Sequence, residues 1–340
     1  MMWKFFIRPL LFLLDPEAAH YFTLNSLKFI CKIPGVKNLI SRIYSVQNKQ
    51  KPIELFGLQF KNPVGLAAGL DKDGKYIIEL ALFGFSHIEI GTVTPLAQPG
   101  NPLPRLFRLP KDKALINRMG FNNEGAASMA ARLNKLNKPK GLILGINIGK
   151  NKDTPIEKAW EDYLKCFEIL HPYADYFTIN ISSPNTPGLR GLQDKEPLIL
   201  LLSKINDANR SKSRPKPVLV KIAPDLDTEQ LSEIKQICLD QKMDGIIIGN
   251  TTLDRKNLIT DSQQLNIMGP GGLSGQPLLL NSDEKLSSLM TMPGNIPFIG
   301  VGGIMDANSA KYKLEIGASL VQVYTSFIYS GPAIVQDICG

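Results

Sequence analysis

Eight short apolar runs, each ending in a small or polar residue, constrain this chain more than any other feature. They are VGLAAG from Val64, HIEIGT from His87, LILGIN from Leu142, YFTINIS from Tyr176, VLVKIA from Val218, GIIIGN from Gly245, PFIGVGG from Pro297 and LVQVYT from Leu320. Near-continuous apolar runs are strands buried on both faces, which belong to a parallel sheet covered by helices. Most of these runs are followed by helix-like stretches. Eight such units predict an α/β protein built as one (β/α)8 TIM barrel. A doubly wound open sheet is the alternative. No linker or low-complexity stretch divides the region. A small hairpin, Ile53 to Phe60 turning at Phe56-Gly57, precedes the first unit.

In such a barrel the C-terminal ends of the strands face the site, because the strand-to-helix loops gather there. Those ends supply Ala68-Gly69, Thr92, Asn147, Asn180, Lys221, Asn250, Gly302-Gly303 and Tyr324-Thr325. The set is amide, hydroxyl and glycine with one lysine. It holds no carboxylate pair for glycoside chemistry and no histidine for a Ser-His-Asp arrangement. His20, His87 and His171 show no metal-binding spacing, and Cys31, Cys166, Cys238 and Cys339 are scattered without pairing. Neither a metal centre nor a disulfide framework is expected.

Hydrogen-bond donors without a strong acid–base pair suit a cofactor that carries the hard chemistry itself. GVGGI, from Gly300, follows the seventh run, and GGLSG spans Gly271 to Gly275. Bare backbone N–H groups after the seventh and eighth strands are where barrels hold phosphate. Asp306 is placed to cap the next helix, which closes at Gly317. FMN fits, with its phosphate at that end and its ring over the mouth. Lys221 lies in VLVKIAPD, where the flanking run is apolar on both sides and a lysine reaching for water is a poor explanation. It is expected beside the electron-rich edge of the flavin. A barrel acting on a phosphorylated metabolite without flavin is the alternative among enzymes.

The first 51 residues differ in character. Lys4, Arg8, Lys28, Lys32, Lys37, Arg42, Lys49 and Lys51 stand against only Asp15 and Glu17, so most of the chain's net charge of +8 lies here. Trp3, Phe6, Ile7, Leu10 and Leu14 recur at helical spacing, and Phe5, Leu11, Phe12 and Leu13 widen that face. Asp15-Pro16 reads as an N-cap with proline at the first helical position, opening a helix that runs to the Ile33-Pro34-Gly35 break. Val36, Leu39, Ile40 and Ile43 mark a third, short helix. The apolar run is too short to span a bilayer, and no signal-peptide cleavage pattern follows it. The plain reading is that these helices pack on the barrel. Large aromatics beside basic residues favour more: a helical arm, residues 1–51, that associates with an anionic membrane surface. A nucleic-acid partner is not expected. The barrel is then residues 52–340.

Longer motifs stand in order along the chain: LDPEAAH from Leu14, AAGLDKDG from Ala67, IEIGTVTPLAQPGNPLPRLFRL from Ile88, INRMGFNN from Ile116, GINIGKNKDTP from Gly145, NISSPNTPGLR from Asn180, VKIAPDL from Val220, NTTLDR from Asn250, GGLSG, and IGVGGI from Ile299. Together they resemble the dihydroorotate dehydrogenase family over essentially the whole chain, and specifically its quinone-dependent, membrane-associated class. Soluble relatives place a cysteine where Ser183 stands here.

The resemblance implies oxidation of (S)-dihydroorotate to orotate in pyrimidine synthesis, with FMN as hydride acceptor and a ubiquinone-type quinone as final acceptor. It implies a peripheral protein on the cytoplasmic side of the cell (inner) membrane. It makes Ser183 the base that takes the C5 proton while the C6 hydride goes to flavin N5. It places Lys72, Asn117, Arg118, Met119, Gly120, Phe121, Asn180, Asn185, Asn250 and Thr251 on the substrate. It places Ala68, Gly69, Leu70, Asp71, Lys72, Thr92, Asn147, Asn180, Lys221, Gly249, Gly275, Gly303, Tyr324 and Thr325 on the flavin. Lysine charge and paired amides suit an anion with imide edges. Thr186 is a candidate relay from its proximity to Ser183, and His20 a candidate for lining a quinone path. The remaining histidines and the cysteines read as structural. One departure stands out: the position before Asn250 is commonly Thr or Ser in this family, and here it is Gly249. A hydroxyl hydrogen bond near the flavin is then missing, with altered flavin affinity expected rather than loss of activity. Lys111-Asp112-Lys113 reads as a solvated turn.

Overall fold

The computed structural model describes residues 3–46 and 52–340. The expected border between arm and barrel, with Lys49 and Lys51, lies outside the described residues. All eight runs form strands: β1 (Val64–Leu66), β2 (His87–Val93), β3 (Ile143–Ile148), β4 (Tyr176–Asn180), β5 (Val218–Ile222), β6 (Gly245–Ile248), β7 (Phe298–Val301) and β8 (Leu320–Val323). Each pairs in parallel with its sequence neighbours, and β8 closes on β1. The closed barrel rules out the doubly wound alternative. Helices such as Ala159–Leu170, Lys195–Arg210 and Thr228–Asp240 return the chain outside the strands.

The burial of both strand faces follows from two cores. Ile88, Ile146 and Phe177 point outward against Phe167 and Leu201 of the helices. Tyr176, Leu219, Ile247, Ile299 and Leu320 fill the barrel itself. The hairpin, Ile53–Leu55 paired with Leu58–Phe60, joins that inner core with a fully buried Phe60. Space inside is shared between small and large residues: a Cβ at Gly145 would lie 2.2 Å from the Tyr176 ring.

At the C-terminal end, the loops after β2 and β6 meet in a three-stranded antiparallel sheet of Leu106–Leu109, Ala114–Asn117 and Gly272–Gly275. The Lys111–Lys113 turn of this sheet is not the solvated turn its sequence suggested. Asp112 is buried and accepts the Thr260 N–H at 3.1 Å and the Thr260 hydroxyl. It anchors the β6 loop.

The arm begins with short helical segments, Trp3–Ile7 and Arg8–Phe12, followed by α1 (Pro16–Ile30) and α2 (Val36–Ile43). The Asp15 carboxylate caps α1, accepting the Glu17 and Ala18 N–H groups at 3.0 Å each, with Pro16 in the first position. The inner side of the arm is tied down. The Trp3 indole donates to the Ile328 carbonyl at 3.1 Å, and the Arg108 guanidinium lies 4.5 Å over the Phe12 ring while donating to the Leu14 carbonyl at 2.8 Å. The outer side leaves Phe5, Phe6, Leu10, Leu13, Phe22, Phe29, Leu39 and Ile43 exposed. Among the described residues, no helix is long and apolar enough to cross a membrane.

Candidate active site

A cavity of about 1250 Å³, counted out to its open mouth, sits at the C-terminal end of the barrel. The family-derived positions Ala68, Gly69, Lys72, Thr92, Asn117, Met119, Gly120, Phe121, Asn180, Ser183, Asn185, Lys221, Gly249, Asn250, Thr251, Gly275, Gly303, Tyr324 and Thr325 all line it. Four expected residues do not. Asn147 lies one layer below the wall, where it bonds Glu89, Thr92 and Asn180. Leu70 faces a second, more apolar cavity. The Asp71 carboxylate is spent on the Lys75 and Tyr76 N–H groups at 2.8 Å each, and burial pushes it up to about 6. Arg118 stacks 4.7 Å over Phe107 and donates to the Pro270 carbonyl at 3.0 Å, clasping the β6 loop instead of facing the cavity.

The floor is a buried polar cluster. Glu89, fully buried on β2, accepts from Asn147 Nδ2 at 2.8 Å, Thr178 Oγ1 at 3.0 Å, the Tyr176 hydroxyl at 3.1 Å and Gln322 Nε2 at 3.1 Å. Lys221 Nζ lies 4.0 Å from Glu89 Oε1. Burial pulls the Lys221 pKa below its ordinary value, and the Glu89 charge opposes that pull. A buried carboxyl group needs such partners, and here they fix it directly beneath the Lys221 amine.

The Ser183 wall is fixed by amides. Asn180 Oδ1 accepts the Ser182 N–H at 3.2 Å and hydroxyl at 2.9 Å, and Asn250 Nδ2 donates to the same Ser182 hydroxyl at 2.9 Å. The Tyr163 hydroxyl holds the Asn180 carbonyl at 2.7 Å. Asn185 Nδ2 reaches Asn117 Oδ1 at 3.1 Å. Ser183 is buried at the cavity wall, its Oγ accepting the Asn185 N–H at 3.3 Å. Thr186 Oγ1 is buried and has no hydrogen-bond partner among the described residues.

The β7–β8 end is a backbone cradle. Gly303 has φ +72, and a Cβ there would lie 2.2 Å from Leu279 Cα, so only bare backbone faces the cavity. Ser274 and Thr325 hydroxyls pair at 2.9 Å beside it. These groups fit a phosphate. Gly249 has φ +119, and a Cβ there would lie 2.3 Å from the Val301 carbonyl oxygen. The missing hydroxyl is therefore accompanied by a backbone path that only glycine follows without strain.

The arm supplies part of the wall. Glu17 and His20 of α1 line the cavity with Lys72. Burial pulls Lys72 down to about 8, partly offset by the Glu17 charge. His20 falls to about 3 through burial and then the Lys72 charge, so it is neutral. The second cavity, about 670 Å³ counted out to its open mouth, lies between arm and barrel among Trp3, Leu11, Phe12, Ala19, Leu24 and Phe327, with Arg108, Thr23, His20 and Tyr324 among its polar residues. His20 and Tyr324 line both cavities.

Glu17, Glu89, Gln322 and Ser274 were not singled out from sequence. Glu89 and Gln322 carried a usable signal: a charged or amide residue inside an apolar strand survives only with buried partners. Glu17 lay inside the LDPEAAH motif without a visible role.

The family model described as dihydroorotate dehydrogenase matches residues 52–340. Among curated relatives, the dihydroorotate dehydrogenase (quinone) of Christiangramia forsetii is 54% identical over 99% of this chain and 97% of its own length. That of Janthinobacterium sp. is 50% identical over 97% and 95%. A crystal structure of the Eimeria tenella enzyme in complex with ferulenol superposes with a TM-score of 0.85 at 35% identity, covering 96% of this chain and 90% of that one. The chain belongs to the dihydroorotate dehydrogenase family.

Proposed function

We propose that the mouth cavity oxidises (S)-dihydroorotate to orotate for pyrimidine (UMP) synthesis, using bound FMN, and that electrons leave to a ubiquinone-type quinone in the arm-covered cavity. The observation that carries this reading is the meeting of Ser183, Lys72, Asn117, Asn250 and the Gly303 cradle in one cavity wall. The relatives named above carry the same oxidation and acceptor in their names.

FMN, when bound, supplies the hydride acceptor and a store for the electron pair. The Gly303 backbone with Ser274 and Thr325 would hold its phosphate, and Lys221, held at 4.0 Å by Glu89, would put positive charge at its ring. Lys72 meets the substrate carboxylate, and the amides of Asn117, Asn185 and Asn250 meet its imide edges. Ser183 Oγ takes the C5 proton. A serine keeps its own proton near neutral pH, so it passes that proton on as it takes the new one. Thr186 Oγ1 makes no direct hydrogen bond to Ser183 among the described residues, so a water bridging the two hydroxyls would receive the proton and hand it on to solvent. Burial of Ser183 keeps bulk water from competing.

The arm's exposed aromatic and aliphatic face, flanked by Lys4, Lys28, Lys32 and Arg42, would lie peripherally on the cytoplasmic face of the cell membrane. Quinone would then enter the second cavity from lipid. Residues 1–51 act as the membrane and quinone-access arm, and 52–340 as the catalytic barrel.

The test is Ser183→Ala in the purified flavoprotein. FMN should remain bound while flavin reduction by dihydroorotate slows by about 10²–10⁴-fold. Wild-type reduction rates would remove Ser183 from the chemistry.

A further inference from the structure

The Arg190 side chain lies outside the cavity wall, among the three loops that follow β4, β5 and β6. Its Nε donates to the Ser182 carbonyl at 3.2 Å, its Nη1 to Asp225 Oδ2 at 2.8 Å, and its Nη2 to the Thr251 carbonyl at 3.2 Å. Among the described residues, neither carbonyl accepts another hydrogen bond. Asp225 extends the clasp, taking the Leu253 N–H at 3.3 Å and the Thr252 hydroxyl. From the other side, Gln193 donates to the Arg190 carbonyl at 3.4 Å and accepts the Ala223 N–H at 2.9 Å.

We infer that Arg190 is a positioning residue that sets Ser183 against the substrate-facing Asn250-Thr251 pair. The inference rests on the reading of Ser183 as the base. Ser182 precedes Ser183 directly, and Ser183, Asn250 and Thr251 all stand in the cavity wall. One planar fork spans the strand-4 loop, the strand-5 loop and the strand-6 loop, a geometry a lysine cannot reproduce. The Arg190 and Asp225 side chains are each 25% exposed. An ion pair that open adds little to global stability, so what it contributes is local registration. Misplacing a reacting group by an ångström is enough to slow a step steeply.

The experiment is anaerobic stopped-flow reduction of the full-length flavoprotein by dihydroorotate, in wild type, Arg190→Ala, Ser183→Ala and the double variant. Flavin content and thermal midpoint serve as structural controls. Arg190→Ala should keep its flavin and stay folded, its thermal midpoint lowered by a few degrees at most for the two carbonyls left without a donor, yet reduce about 10–100-fold more slowly, and added guanidinium ion should recover part of that loss. The double variant should be no slower than Ser183→Ala, because both changes act on one group. Reduction of Arg190→Ala within about two-fold of wild type would overturn the inference. So would a double variant whose losses multiply, which would place Arg190 in some other step. A wild-type flavin that dihydroorotate does not reduce would instead sink the underlying reading of the site.

Discussion

Arg105 grips Glu17 through two charge-assisted hydrogen bonds, 3.0 Å from Nε to Oε2 and 2.8 Å from Nη2 to Oε1, with only 11% of either side chain exposed. The pair joins α1 of the arm to the loop after β2. Asn101 of the same loop donates to the Asn185 carbonyl at 3.2 Å, two residues from Ser183. Arm and mouth cavity are thus parts of one packed unit.

Breaking that pair should be felt in both half-reactions. Glu17→Gln removes the charge that Arg105 grips, leaving the guanidinium its bonds to the Pro99 and Asn101 carbonyls, and removes the larger of the countercharges of Lys72. Orotate affinity should change and flavin reduction should slow, in addition to any loss of quinone turnover. Flavin reduction identical to wild type in this variant would confine Glu17 to arm packing.

If Lys72 holds the substrate anion, as proposed, binding should depend on pH. Its pKa stands at about 8 in the free protein, below the ordinary lysine value, chiefly through burial. An anionic ligand favours the charged form, so affinity is full below that pH and falls as pH rises through it. Orotate titrations followed by flavin absorbance should show the dissociation constant climbing above pH about 8, and Lys72→Met should flatten the profile. A flat wild-type profile would remove Lys72 from ligand binding.

Lys221 should set the flavin potential. Replacing it with Met removes positive charge from the cavity floor while Glu89 remains. The midpoint potential should fall by about 30 mV or more, a tenfold change in a two-electron equilibrium. Spectroelectrochemistry on the isolated flavoprotein reads this without any turnover. An unchanged potential would mean Lys221 does not act on the ring.

Gly249→Thr restores the residue type common in the family but should not improve flavin binding. The added Cβ meets the Val301 carbonyl oxygen, and φ is +119. Strain of about 1–3 kcal/mol is expected, seen as a lower thermal midpoint and a lower flavin content. A more stable, fully loaded variant would show that the backbone relaxes here.

The barrel was legible because its strands are buried on both faces, and eight such runs leave little choice of architecture. The caps of the helices beginning at Pro16 and Ala307 were legible because Asp15 and Asp306 act through local chemistry. The polar residues of the floor stood out within their apolar strands, but their pairing was not legible, since Glu89 and Gln322 meet only when β2 and β8 curve round to share one interior. Arg118 was carried into the substrate site by a motif whose neighbours do line it, while its own side chain turns to Phe107 and the β6 loop. Gly249 looked like the loss of a hydroxyl because backbone direction is invisible in a residue name. The arm read as either packed or membrane-facing; its inner side packs on the barrel, and its outer side leaves the large apolar residues exposed.

The central claim is that one protein moves electrons from dihydroorotate through flavin to quinone. It is tested most directly by the visible flavin spectrum of the purified full-length protein under anaerobic conditions. Dihydroorotate is added first, then a short-chain ubiquinone. The account predicts that the flavin bands bleach on the first addition and return on the second, with orotate formed in step with the flavin reduced. A flavin that stays oxidised in dihydroorotate, or that bleaches and is not restored by quinone, would contradict it.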